Sequence, residues 1–245
     1  GVLLKPALVP LVGDELYLGI LFLCALPATV QSAIAFTSIA RGNVAAAVCS
    51  AATSSLLGIF VTPLLVLLLM GAQAGESNTL DAIGKIVVQL LLPFIAGQIA
   101  RRWIGDWVAR NKGWLKSVDQ GSILLVVFVA FSHAVVEGIW QQVPLHDLLG
   151  LVVACCLLLA LALGLTAWLG RRLGFNEEDR ITILFAGSKK SLATGVPMAQ
   201  VLFAGGALGT LILPLMLFHQ IQLMVCAVLA ERYGRREETG IEEVA

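Results

Sequence analysis

Seven stretches of this sequence, at about 15–40, 44–70, 82–101, 120–138, 148–170, 181–203 and 208–230, are long, mostly apolar runs. A helix needs about 20 apolar residues to cross the hydrocarbon core of a bilayer, and these stretches meet that length. No water reaches the backbone at that depth, so a span must satisfy its own N–H and C=O groups as a helix or in a closed barrel. The alternation of barrel strands is absent, and the runs are too apolar on every side to be surface helices of a soluble bundle. Charged residues make up 13% of the chain, about half the roughly 25% of a soluble domain. The fold class expected is an all-α polytopic membrane protein held in a lipid bilayer.

The charges map the loops. Arg41 falls between the first two spans; Arg101, Arg102, Arg110, Lys112 and Lys116 between the third and fourth; Arg171, Arg172 and Arg180 between the fifth and sixth; Arg232, Arg235 and Arg236 after the seventh. If the spans alternate, all of these lie on one side, and the other side holds Lys5 and Lys85 with Glu76, Asp81, Glu137 and Asp147. The positive-inside rule then places the C-terminus in the cytoplasm and residue 14 outside. Sixteen basic residues balance sixteen acidic ones, which excludes electrostatic binding of nucleic acid as the main activity. Two basic residues remain, Lys189 and Lys190 inside the sixth span, where no Asp or Glu lies deep enough to neutralise them.

The chain opens without Met, within an apolar piece at 1–12 too short to cross alone, and has no basic n-region or cleavage site of a signal peptide. Residue 1 is expected to be a truncation point preceded by further helices. Cys24, Cys49, Cys155, Cys156 and Cys226 lie in apolar spans without metal-ligand or CxxC spacing, as small buried hydrophobes do.

Two spans carry breakers. Pro27, in Leu26-Pro27-Ala28-Thr29-Val30-Gln31-Ser32, removes a backbone donor and kinks or opens the first. In the sixth, Gly187 permits unwinding of Ala186-Gly187-Ser188-Lys189-Lys190-Ser191, ahead of Thr194-Gly195-Val196-Pro197. Lys189 and Lys190 are the ninth and tenth residues of the span counted from Ile181, about 14 Å deep at helical rise and too far for easy snorkelling. Each would cost about 2.5–3.5 kcal/mol facing lipid, which favours a buried, functional place. Each broken span precedes a helix with an internal proline, Pro63 or Pro214. Paired interruptions in two halves point to a transporter of inverted repeats. The five spans of 82–230 would be one repeat and 1–70 the end of the other, so the inferred parent has ten helices. The organisation expected is 1–70 as the C-terminal part of the first repeat, 82–138 as two spans around a basic cytoplasmic loop 101–117, 148–230 as the last spans and 231–245 as a cytoplasmic tail. The loop 101–117 could lie as a short amphipathic helix on the anionic leaflet. Trp103, Trp107, Trp114 and Trp140 gather there or at span ends, as interfacial anchors.

The strings LPATVQSAIAFTSIARGNVAAAVCSAATSSLLGIFVTPLL, LFAGSKKSLATGVPMAQVLF and LPLMLFHQIQLM resemble the bile acid:sodium symporter superfamily, and more closely its sodium/bile acid cotransporter 7-like branch, which includes bacterial members. The resemblance covers essentially the whole chain. It implies ten helices in two inverted repeats sorted into a panel and a core, with two unwound helices crossing at the midplane; those two correspond to 15–40 and 181–203. It implies secondary active transport by alternating access in the bacterial inner membrane. Where the family's ninth helix offers Glu and Gln to sodium, this chain has Phe185 and Lys189, and Ala47 and Ala51 replace Ser and Thr ligands; Ser32 retains one ligand position.

A fixed ammonium group, Lys189 or Lys190, could therefore substitute for a sodium ion, attract a small organic anion as substrate, or load and release a proton as the coupling ion. The rival is a sodium symporter whose ion is held by Thr29, Gln31, Ser32, Ser54, Ser55, Ser188, Ser191 and crossing carbonyls, near Ser32 and Ser188. The binding set is thus Pro27, Thr29, Gln31, Ser32, Ser54, Ser55, Gly187, Ser188, Lys189, Lys190, Ser191, His219 and Gln220. His219, Gln220 and Gln222, midway along the last span, are expected to hydrogen-bond between helices; His133, Gln89 and Gln98 are weaker candidates. No acid/base dyad, nucleophile–base pair or metal cluster suggests an enzyme, and no cofactor is expected beyond a coupling ion. A seven-helix receptor or retinal-type sensor, using a lysine Schiff base, is the alternative, but the sixth span offers only Phe185 and Phe203 as aromatics. A non-transporting fragment is the other.

Overall fold

The computed structural model describes residues 5–70, 84, 88, 92–136, 138, 143–203 and 208–236. In chain order its helices are α1 (Lys5–Ala25), α2 (Val30–Ile39), α3 (Val44–Met70), α4 (Leu92–Arg110), α5 (Lys112–Val136), α6 (Leu145–Arg172), α7 (Glu177–Gly187), α8 (Leu192–Leu202) and α9 (Leu208–Gly234). Among the described residues there is no strand. Leu8–Ala25, Val44–Met70, Leu145–Arg172 and Leu208–Gly234 are each long and apolar enough to cross a membrane. The chain is an all-α integral membrane protein.

Three of the expected spans coincide with α3, α6 and α9, and the fourth, 120–138, falls on α5 as far as Val136, with Gly138 in a turn. The expected first span, 15–40, starts too late and is not one helix. From Lys5 on, the apolar piece is already helical, so among the described residues α1 runs from Lys5, bends at Gly13 (φ 72°) and stops at Ala25. Gly13 adopts this conformation without the Cβ penalty other residues would meet. The sixth, 181–203, divides into α7 and α8. Of 82–101, only 84, 88 and 92–101 are described; Lys85 and Gln89, like Glu76, Asp81 and Trp140, lie outside the described residues. The separate surface helix expected at 101–117 is not formed. Residues 99–110 contain no proline, so α4 runs through to Arg110, and the chain turns at Asn111, whose side-chain amide donates to the Trp107 carbonyl at 2.8 Å.

The main core lies where α1, α6 and α9 meet, around Ile20, Phe22, Leu151 and Leu215. Gly19 allows the close approach: a Cβ there would stand 2.5 Å from the Leu211 carbonyl oxygen. A smaller core, with Ala40, Ile181, Phe185 and Cys226, joins α2, α7 and α9. Along α6 the residues Leu145, Leu149, Val153, Leu157, Leu161 and Leu165 form an exposed stripe at four-residue spacing. One helical face of that size is a liability in water and a natural lipid-facing surface in a bilayer.

The two ends differ. At one, Asn176 caps α7 by accepting from Asp179 N–H at 2.8 Å, and Glu177, Glu178 and Asp179 complement the helix dipole there. The α2–α3 turn is pinned to this cap: the Asn43 side chain donates to Asp179 Oδ1 at 2.8 Å and its N–H to the Glu178 carbonyl at 3.2 Å. Arg236 pairs with Glu177 and covers the Tyr233 ring at 4.2 Å. At the other end Gly13 approaches Asp147.

Candidate functional site: two broken helices that meet

The breaks at residues 26–29 and 188–191 face each other. Pro27 supplies no N–H, and the end of α1 leaves carbonyls without intrahelical partners. Four consecutive carbonyls are taken up by other elements. Cys24 O accepts from Lys190 Nζ at 2.9 Å and Leu26 O from the same ammonium at 2.7 Å. Ala25 O accepts from the Thr62 hydroxyl at 2.8 Å, and Pro27 O from Ser191 N–H at 3.0 Å. The cation also sits at the C-terminus of α1, the negative end of that helix dipole. The next donor, Ala28 N–H, goes to Ser54 Oγ at 3.1 Å. Gly58 clears room for Pro27, since a Cβ on it would lie 2.6 Å from the Pro27 Cβ.

The second break is held from α9. Gln222, fully buried, accepts from Lys190 N–H at 3.0 Å through Oε1 and donates to Lys190 O at 2.9 Å through Nε2. Its Nε2 also lies 2.9 Å from His219 Nδ1. Ser191 caps α8, accepting from Thr194 N–H at 3.2 Å and donating to Thr194 Oγ1 at 2.9 Å. Ser188 donates to Leu184 O at 2.6 Å. Gly187 is tight against α6, where a Cβ would meet Thr166 Cγ2 at 2.8 Å.

Lys189 has a different setting from its neighbour. It is 1% exposed, and its Nζ has no hydrogen-bond partner. The ammonium lies 3.8 Å from the Phe36 ring centroid and 5.8 Å from that of Phe185, with the Cys226 thiol beside it. Ser32 Oγ on α2 is also buried without a partner.

The model of the SBF-like CPA transporter family (DUF4137) matches residues 1–235. The chain belongs to that family. It is 71% identical over its full length, and over 74% of the relative's, to an uncharacterized protein of Pseudomonas aeruginosa. It is 61% identical to Escherichia coli YfeH, named "Putative symporter YfeH", over 93% of this chain and 68% of the relative. It is 31% identical to sodium/bile acid cotransporter 7 of Xenopus tropicalis over 89% of this chain and 64% of the relative. This SBF-like protein is thus a membrane transporter of the bile acid:sodium symporter type, not an enzyme.

The structure brings Pro27, Ser54, Ser188, Lys189, Lys190, Ser191 and His219 of the sequence-derived set to the meeting point. Thr29 takes the N-cap position of α2 without a side-chain cap bond. Ser55 is half-buried on α3; Gln31 and Gln220 are exposed. Gln98 on α4 is exposed and remote in sequence from the breaks, and the His133 side chain is outside the described residues. Sequence reasoning gave Gln222 only a general hydrogen-bonding role and missed Thr62 and Phe36. Phe36 carried a signal, since it stands one helical turn from Ser32. The carbonyls of Cys24 and Leu26 already accept from an ammonium, and the hydroxyls of Ser188 and Ser191 donate within their own chain segment. This arrangement does not fit a resident sodium ion on those two carbonyls.

Proposed function

We propose that this protein is a secondary active transporter of a small organic anion, in which the Lys190 ammonium takes the place of a coupling sodium ion at the crossing. The carrying observation is the pair of hydrogen bonds from Lys190 Nζ to Cys24 O and Leu26 O. Charge-assisted bonds of this kind contribute about 1.5–3 kcal/mol each, which offsets much of the cost of taking the cation out of water. A fixed positive charge among the ends of broken helices raises the local affinity for an anion. The reading goes with ten helices in two inverted repeats, a bacterial inner-membrane location and a cytoplasmic C-terminus. That orientation is supported by Arg41, Arg171, Arg180 and Arg236 lying on segments that meet at one end, around the α7 cap.

In this mechanism Lys190 locks the end of α1 to the segment between α7 and α8, so the two broken helices move as one body when access alternates. Gln222 holds Lys190's own peptide group, and Ser191 N–H fixes the register against Pro27. Proton coupling through a lysine is the companion proposal. The family's names favour a sodium symporter as the rival. Uptake of candidate organic anions into proteoliposomes holding the full-length protein, with sodium replaced by choline across a pH series, separates the three. The proposal requires uptake that persists in choline and is lost in Lys190→Met; a strict sodium requirement contradicts it.

A further inference from the structure

Among the described residues three buried side-chain polar atoms lack a hydrogen-bond partner: Ser32 Oγ, Thr37 Oγ1 and Lys189 Nζ. Two of them, Ser32 and Thr37, lie on α2 with Phe36. Lys189 Nζ lies 3.8 Å from the Phe36 centroid, and Ser32 precedes Phe36 by one turn on the same face of α2. Thr37, fully buried, follows Phe36 on that helix. Lys190 has two carbonyl acceptors, whereas Lys189 has only ring faces and a thiol. None of the described ion pairs includes Lys189. Aromatic faces recover part of what an ammonium loses on leaving water, but they leave its donors unfilled. An ammonium against the Phe36 ring and a hydroxyl one helical turn away, both with unfilled donors, are the complement of an anion.

We infer that Lys189 Nζ and Ser32 Oγ form a binding site for one small monovalent anion, with Phe36 as the wall that gives way to admit it. The inference rests on the reading of this crossing as the transport site and names the atoms that would receive the negative charge. One charge is all the site matches, because the neighbouring ammonium of Lys190 is already engaged by two carbonyls. Phe36 is half-buried and covers a face of Lys189 that an anion would need, so displacement of the ring is the opening step. The other titratable groups near Lys189 are Cys226 and His219 on α9 and Lys190 in the same break; α2 contributes none. Two sources share the required chemistry, a free halide travelling as co-ion and the carboxylate of the substrate.

The test is thermal unfolding of the purified full-length protein in detergent, at constant choline, with chloride, acetate or bulky isethionate as the anion. Saturable stabilisation by chloride or acetate relative to isethionate supports the site; chloride alone assigns it to a halide, and acetate to a carboxylate. Lys189→Met should abolish the response, and Ser32→Ala should raise the half-saturating concentration about tenfold. Phe36→Leu, which keeps the core apolar and removes the competing ring, should lower it and so keeps the proposal testable if Lys189→Met does not fold. No anion response in the wild type, or the same response in Lys189→Met, overturns it. Exchanging choline for sodium at constant isethionate is a separate arm. A saturable sodium shift there counts against Lys190 as the replacement cation and leaves the anion result standing.

Discussion

Lys190 Nζ lies 2.7 Å from the carbonyl oxygen of Leu26, joining two broken helices whose residues are 164 positions apart in sequence. The contact explains how an ammonium group is tolerated within the membrane, because Pro27 and the end of α1 release the carbonyls that it fills.

Replacing Lys190 with Met removes the charge and leaves the carbonyls of Cys24 and Leu26 buried without donors. The expected loss is about 2–4 kcal/mol of stability, the cost of two unsatisfied acceptors less the relief of burying no charge. Lys190→Arg should not restore wild-type stability, since a planar guanidinium is not equivalent to a compact ammonium with three tetrahedral donors. Thermal unfolding in detergent, followed by intrinsic fluorescence, measures both.

Gln222 makes two hydrogen bonds to the backbone of Lys190. Gln222→Leu should cost about 2 kcal/mol, because a buried N–H and a buried C=O both lose their partner. His219→Ala should cost less, as His219 contacts this peptide through one long 3.4 Å approach to Lys190 O. Comparing the two melting curves in the same detergent decides the ranking.

The location of the breaks was legible in the sequence, while the partners that stabilise them were not. Pro27 and Gly187-Ser188-Lys189-Lys190 announce interruption through local chemistry, and both helices do open there. Which acceptor each lysine meets depends on packing between segments distant in sequence. Lys189 and Lys190 are neighbours in the chain, yet one meets carbonyls and the other aromatic rings. Thr62 looked like an ordinary polar residue in an apolar helix, and only the approach of α3 to Ala25 gives its hydroxyl a task. The start of α1 was misjudged because the apolar piece at 1–12 was judged by its own length, whereas the helix bends at Gly13 and continues to Ala25.

Gly58→Val places a branched side chain where even a Cβ would lie 2.6 Å from Pro27. Pro27 is rigid, so α3 must shift away, at a cost of about 1–3 kcal/mol. The same shift draws Ser54 and Thr62 from Ala28 N–H and Ala25 O, so transport should fall along with the melting temperature. Parallel uptake and unfolding measurements on Gly58→Ala and Gly58→Val check the graded effect.

Arg236 and Glu177 form an ion pair whose side chains are 43% and 63% exposed. Pairs of this kind contribute about 0–1 kcal/mol. Arg236→Gln and Glu177→Gln should therefore each shift stability by no more than about 0.5 kcal/mol, and less at high salt. Melting curves of both variants at low and high ionic strength test this contrast with the buried Lys190 contacts.

Binding of radiolabelled sodium to the purified full-length protein tests the central claim without knowledge of the substrate. With the Lys190 ammonium on the carbonyls of Cys24 and Leu26, the wild type is predicted to show no saturable sodium binding. Saturable sodium binding by the wild type, undiminished in Lys190→Met, would contradict the account.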